Sequence, residues 1–269
     1  MKPFDFNIHL PSDGRNLIKN ELGSSVLSLS RFFLEHYKNI GKNVCSGNFM
    51  LFNQRVLADK KAIDFTRMVC NCLPGAYFTL LADFRAKDTV KLIADLKNGP
   101  IKGVKFHSYV QRITRSDYPR VLKICRIAQK QNKYICIDTS FGTSKMYEYD
   151  NLKLACFICD HITRTPIILL HSGGARVREA MLLAQDKKNV YLETSFSLNY
   201  FSGSILTADF AFAFKKIGSK RVIYGSDFPY VSFRDSLGST MELLKKYKFS
   251  SSEIYDIMRG NAMKLGEAC

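Results

Sequence analysis

Residues 222–229 read Val-Ile-Tyr-Gly-Ser-Asp-Phe-Pro. A short β-branched and aromatic run ends there in Gly225, Ser226 and Asp227, and Pro229 closes the turn. An acidic side chain is thereby presented at a strand's exit. Three histidines repeat the arrangement far away in sequence. His9, His107 and His171 each end an apolar run, over residues 4–9, 101–107 and 167–171, and each is followed within two residues by Pro, Ser or Gly. A barrel of parallel strands gathers such ends on one face, where that architecture keeps its reacting groups.

The surrounding chain alternates as such a barrel requires. Strands are expected over residues 4–9, 48–52, 76–81, 101–106, 134–137, 167–170, 190–193 and 222–224. Helices are expected over residues 56–72, 87–96, 118–131, 151–161, 177–185, 208–217 and 235–247. Residues 14–42 read as a loop and then a helix, with an apolar stripe of Leu27, Phe32, Phe33, Leu34 and Tyr37. Asn98-Gly99-Pro100 breaks the chain ahead of the fourth strand. Residues 250–265 read as a terminal helical segment covering the barrel's exterior. Eight β/α units in 269 residues fit one (β/α)8 TIM barrel, a single α/β domain over residues 1–269, better than an open doubly wound sheet. Dinucleotide, phosphate-loop and serine-hydrolase signatures are all missing from the sequence.

Composition narrows the function classes further. Forty Lys and Arg against 24 Asp and Glu give a net charge of +16. That charge attracts anions generally, but the basic residues are scattered and form no nucleic-acid motif. The expected partner is a small anionic substrate, with no specific nucleic acid and no membrane, and a homo-oligomer is left open. No apolar run approaches a membrane span, and residues 1–5 lack the pattern of a secretory signal, so the expected location is cytoplasmic. The eight cysteines are then expected as reduced thiols, with Cys125, Cys136 and Cys156 on apolar faces. Cys70-x-Cys72 and Cys156-x-x-Cys159 lack a matching second pair, and neither is assigned a metal. His36 and His161 fall within helices and are expected to serve packing.

Taken together, residues 4–9, 103–107, 168–174, 189–195, 225–229 and 261–265 resemble the amidohydrolase superfamily. The resemblance is to the branch of aminocarboxymuconate semialdehyde decarboxylase and pyrone dicarboxylate lactonase. It spans nearly the whole chain and implies a hydrolase of lactone, ester or amide carbonyls, or a related decarboxylase or hydratase. In that family, strand one ends His-x-His and grips one divalent metal together with a strand-five histidine and the strand-eight aspartate. Here Asn7 replaces the first histidine and Asp138 ends strand five, while His9 and Asp227 remain. The resemblance thus implies metal ligands His9, Asp138 and Asp227, with Asn7 as a weak fourth. Zinc, manganese or magnesium is a candidate, and a set poor in nitrogen favours the harder ions. It also admits a metal-independent enzyme, in which Asp227 is the base and His171 assists.

Lys105 precedes His107 by two residues and faces the same side of its strand. It is a candidate either to bind a substrate anion, with His107 and Asn7, or to pair with a barrel acid such as Asp138. Arg176 and Arg178 follow Gly173-Gly174 and are candidates for an anion at a helix start, with a solvated helix face the favoured alternative. Ser195 and Tyr230 complete the candidate pocket. A barrel that binds a small anion without turning it over is the competing class.

Overall fold

The computed structural model describes residues 1–10, 25–51, 61–96, 99–141 and 143–268. Eight strands form one sheet in sequence order: β1 (Phe4–His9), β2 (Ser46–Leu51), β3 (Tyr77–Leu81), β4 (Ile101–His107), β5 (Tyr134–Asp138), β6 (Ile167–Leu170), β7 (Val190–Glu193) and β8 (Val222–Ile223). Neighbouring strands pair in parallel throughout. The two ends of the sheet meet where Phe6 N–H donates to Tyr224 O at 3.0 Å and His9 N–H to Phe228 O at 2.7 Å. The expected TIM barrel is therefore the observed fold. The loop from residue 14, the end of the second strand at Phe52, the start of the second helix at residues 56–60 and the break at Asn98 lie outside the described residues.

Strand alternation divides the core into two layers. Outward residues such as Val104, Phe106, Ile135, Ile137, Ile167 and Leu169 pack on the surrounding helices. Inward residues such as Phe4, Phe6, Tyr77, Tyr134, Cys136, Ile168 and Leu170 fill the barrel. Gly103 permits the largest of these, because a Cβ there would stand 2.0 Å from the Tyr134 ring. Register shifts between Asp5 and Ile8. The shift resets the alternation of β1, so Phe6 stays in the barrel core and Ile8 packs on the helices, while Asn7 and His9 reach the polar end.

Three expectations change. In the helix Val26–Asn43, capped by Ser25, the buried stripe is Val26, Leu29, Phe32, Phe33 and Ile40, while Leu27 and Leu34 are exposed. Those two sit off the stripe that 3.6-residue spacing dictates. On Asn151–His161 the buried thiol is Cys159 and Cys156 is exposed, again by helical phase. The terminal segment, expected on the exterior, closes the barrel's N-terminal mouth instead. There Ala262 and Leu265 join the inner core, and Tyr77 OH donates to Ala262 O at 2.7 Å. The open mouth is the C-terminal one. Among the described residues no helix is long and apolar enough to cross a membrane.

Candidate active site

The strand exits converge on a cavity of about 230 Å³ lined by His9, Lys105, His107, Tyr109, Asp138, Ser140, His171, Phe196, Asp227 and Tyr230. Each polar side chain is placed by backbone. Lys105 and His107 share the inner face of β4, and Asp138 is the last residue of β5. His171 follows β6 in a turn whose residues His171, Ser172, Gly173 and Gly174 all have positive φ. Asp227, at φ 64°, is pinned by its N–H to Asn7 O at 2.9 Å. Left-handed conformations at His171 and Asp227 cost about 1–3 kcal/mol each, so surrounding contacts have to hold them.

Asp138 is the hub. Its Oδ2 lies 3.1 Å from Lys105 Nζ, 3.2 Å from His171 Nε2 and 3.4 Å from His107 Nε2. Its Oδ1 accepts from the Ser140 hydroxyl at 2.6 Å. Burial would raise its pKa, but His107, Lys105 and His171 together hold it well below the ordinary carboxylate range. The two imidazoles beside it part company. Burial drives His107 down to about 3, despite Asp138, so it is neutral. For His171 burial also opposes charge, yet Asp138, Asp227 and Glu193 outweigh it and lift the ring to about 9.

Hydrogen-bond direction leads to the same protonation state. His171 Nδ1 faces the carbonyl of Ser195 at 3.2 Å, and its Nε2 faces the Asp138 carboxylate at 3.2 Å. Both are acceptors, so both ring nitrogens carry protons. The ring's folded pKa exceeds its unfolded value of 6.5, so its contribution to stability is complete below 6.5 and disappears as pH rises through about 9. Between pH 7 and 9 that is a loss of roughly 2 kcal/mol. Urea midpoints across this range should fall in the wild type and flatten in His171→Gln. Parallel curves would refute the assignment.

Across the cavity, Asp227 Oδ1 accepts from His9 Nε2 at 3.1 Å and Asn7 Nδ2 at 3.2 Å. Burial raises this acid, but the His9 hydrogen bond and the charges of His171, His9 and Lys105 bring it below its usual value. A carboxylate that stays ionised thus faces a protonated imidazole across a small cavity. That pairing can take a proton from water on one side and polarise a carbonyl on the other.

Two buried acids lie beneath the cavity. Glu193, fully buried at the end of β7, accepts from Ser195 N–H and Oγ, both at 2.7 Å, and from His171 N–H at 3.1 Å. Burial raises its pKa. Gly225 leaves it room, since a Cβ there would meet Glu193 Oε1 at 2.1 Å. Asp5 is pushed up to about 7 by burial and accepts from Asn7 N–H and Ser226 N–H through Oδ1. Neither acid was among the candidate residues from sequence. A signal existed for Glu193, which ends its strand as Asp138 does. None existed for Asp5, which depends on the register shift.

The other candidates separate by position. Lys105 both lines the cavity and pairs with Asp138. Asn7 is fully buried behind Asp227, which it orients. Tyr230 is a wall, edge-on to His9 at 5.2 Å, and Ser195 is buried behind His171. Arg176 does not line this cavity. Its guanidinium pairs with Asp150 at 2.9 Å and with Glu179, its i+3 neighbour, while Arg178 pairs with Asp209. His36 and His161 bond backbone carbonyls of their own helices.

The expected metal set of His9, Asp138 and Asp227 does not fit a divalent ion in this arrangement. The lysine ammonium and two imidazoles crowd the Asp138 oxygen that would ligate, and Asn7 turns its NH2 rather than its oxygen to Asp227. Among the described residues no group of three or more His, Cys, Asp or Glu side chains converges to hold a metal ion.

Comparison with known proteins agrees with this architecture. A Bordetella bronchiseptica TIM-barrel protein of uncharacterised function superposes with a TM-score of 0.74 at 18% identity, over 100% of this chain and 99% of that one. A Pseudomonas putida protein assigned as a 2-pyrone-4,6-dicarboxylic acid hydrolase gives 0.60 at 16% identity, over 99% and 98%. A manganese-bound dihydroxybenzoic acid decarboxylase from Polaromonas gives 0.59 at 13% identity, over 99% and 97%. At such identities the likeness shows the fold alone. No curated protein matches the sequence. A sequence model of the amidohydrolase family, however, matches residues 66–265, the span that carries Lys105, Asp138, His171 and Asp227. The barrel with its acids and histidines at strand exits is accordingly that of a member of the amidohydrolase family.

Proposed function

We propose that the protein hydrolyses a lactone, ester or amide carbonyl of a small anionic compound. The observation that carries the reading is an ionised Asp227 facing a protonated His171 across a 230 Å³ cavity that also holds the Lys105 ammonium. Asp227 takes a proton from water, and the water oxygen bonds to the carbonyl carbon. His171 and Lys105 stabilise the oxyanion that forms. When the carbonyl re-forms, the carbon–oxygen or carbon–nitrogen bond breaks, and the leaving atom receives the proton that Asp227 holds. Lys105 and the +16 net charge favour an anionic substrate, and the cavity suits a molecule of about one ring.

Decarboxylation is the second reading, favoured by His171, whose Nε2 proton could pass to the carbon that carbon dioxide leaves. Purified protein with 2-pyrone-4,6-dicarboxylate, and separately with a dihydroxybenzoate, tests both. Loss of the pyrone absorbance that survives chelation supports hydrolysis by these side chains. Carbon dioxide from the benzoate supports the second reading. Turnover of neither, with millimolar binding of both, would mark a barrel that binds anions without chemistry.

A further inference from the structure

A single buried oxygen joins the two sides of the cavity. Ser195 Oγ lies 2.7 Å from Glu193 Oε2, 3.1 Å from His171 Nδ1 and 2.9 Å from Asn7 Nδ2. A hydroxyl has one proton and two lone pairs, and all three are used here. The Asn7 amide can only donate to it. The Glu193 carboxyl, whose other contacts, Ser195 N–H and His171 N–H, are donors, takes the hydroxyl proton. The remaining lone pair then faces His171 Nδ1, whose proton it shares with the Ser195 carbonyl at 3.2 Å. Asn7 in turn donates to Asp227 Oδ1. One serine thus bonds both the imidazole and the amide that holds the Asp227 carboxylate, and its orientation is set by Glu193, which does not line the cavity.

We propose that Glu193 is a positioning residue for His171. By drawing the Ser195 proton to itself it joins the Ser195 carbonyl in holding the proton on Nδ1, and leaves the ring's other nitrogen directed at Asp138 and the cavity. The groups around this unit are Asp5 and Asn7 on β1, Lys105 and His107 on β4, Cys136 and Asp138 on β5, Tyr224 after β8, and Asp227. Among the described residues, only the Glu193 carboxyl takes the hydroxyl proton of Ser195. The inference deepens the reading of His171 as the oxyanion-stabilising group and rests on it.

Glu193 also holds the His171 turn through the backbone, so loss of activity alone would not distinguish positioning from support. The His171 Nδ1 proton does. In protein carrying 15N-histidine, without substrate and at pH 7, this proton should give a slowly exchanging one-bond correlation that vanishes in His171→Gln. Ser195→Ala, which leaves the Glu193 bond to His171 N–H in place, and Glu193→Gln should each speed its exchange with water at least tenfold while retaining the native circular dichroism spectrum. A wild-type protein without the signal, or exchange less than fivefold faster in either folded variant, would overturn the proposal. If Glu193→Gln does not fold, Ser195→Ala alone decides by the same threshold. Because no substrate is present, failure here is distinct from failure of the hydrolytic reading, which shows as absent turnover in the wild type.

Discussion

Replacing Asp138 with asparagine should destabilise the protein by about 3–5 kcal/mol, the usual cost of removing one partner from a buried ion pair. The carboxylate is fully surrounded by donors, and its loss leaves the Lys105 ammonium, 1% exposed, with no opposite charge at 3.1 Å. His171 can shed its proton to relieve the excess charge, whereas Lys105 lies too deep to regain water. The companion variant Lys105→Met with Asp138→Leu removes both charges, and apolar replacement of a buried pair is often neutral or better. Urea unfolding of the three proteins checks this. Stability should fall in the single variant and recover by at least half in the double. A single variant as stable as wild type would show that the pair is not the electrostatic centre of the site.

The second large effect concerns Asp227→Asn. The change keeps the volume and can still accept from His9, but it removes the base, so turnover of the pyrone or its relatives should fall by about 10²–10⁴. Substrate affinity should change little, because Lys105 and His171 remain. Melting temperature should fall less than in the Asp138 variant, since Lys105 and His171 keep the Asp138 carboxylate beside them. Turnover within a factor of three of wild type would remove Asp227 as the base and direct attention to the carbon-protonating alternative.

Much of this site could be read before the fold was known, for a specific physical reason. His9, His107, Asp138, His171 and Asp227 each end an apolar run and meet a turn residue, and the barrel maps strand exit to cavity. Lys105 followed from two-residue periodicity. Arg176 had two readings, because a basic residue after two glycines resembles an anion site at a helix start, and the helix-face alternative is the one its ion pairs match. Its i+3 spacing to Glu179, visible in the sequence, marked it as a helix-surface pair. Asp5 and the Asn7 orientation required knowing that β1 slips register, which no local pattern encodes. The terminal segment was misplaced because amphipathic spacing reports that a face is buried without saying against what. Only the position of Tyr77 and the vacant mouth of the barrel determines that.

Asn7 and Asp227 bond across 220 residues of chain, and the backbone contacts that close the barrel lie beside them. During synthesis β1 is made before every other strand of the barrel, and until β8 follows, its outer edge has no strand to pair with. A nascent chain shorter than Asp227 therefore exposes an unpaired apolar edge, which invites aggregation or chaperone binding. Chemistry at this site is an all-or-nothing property of the finished chain: half a barrel offers no fraction of the activity, and the cell must shelter the early strands until the late ones arrive.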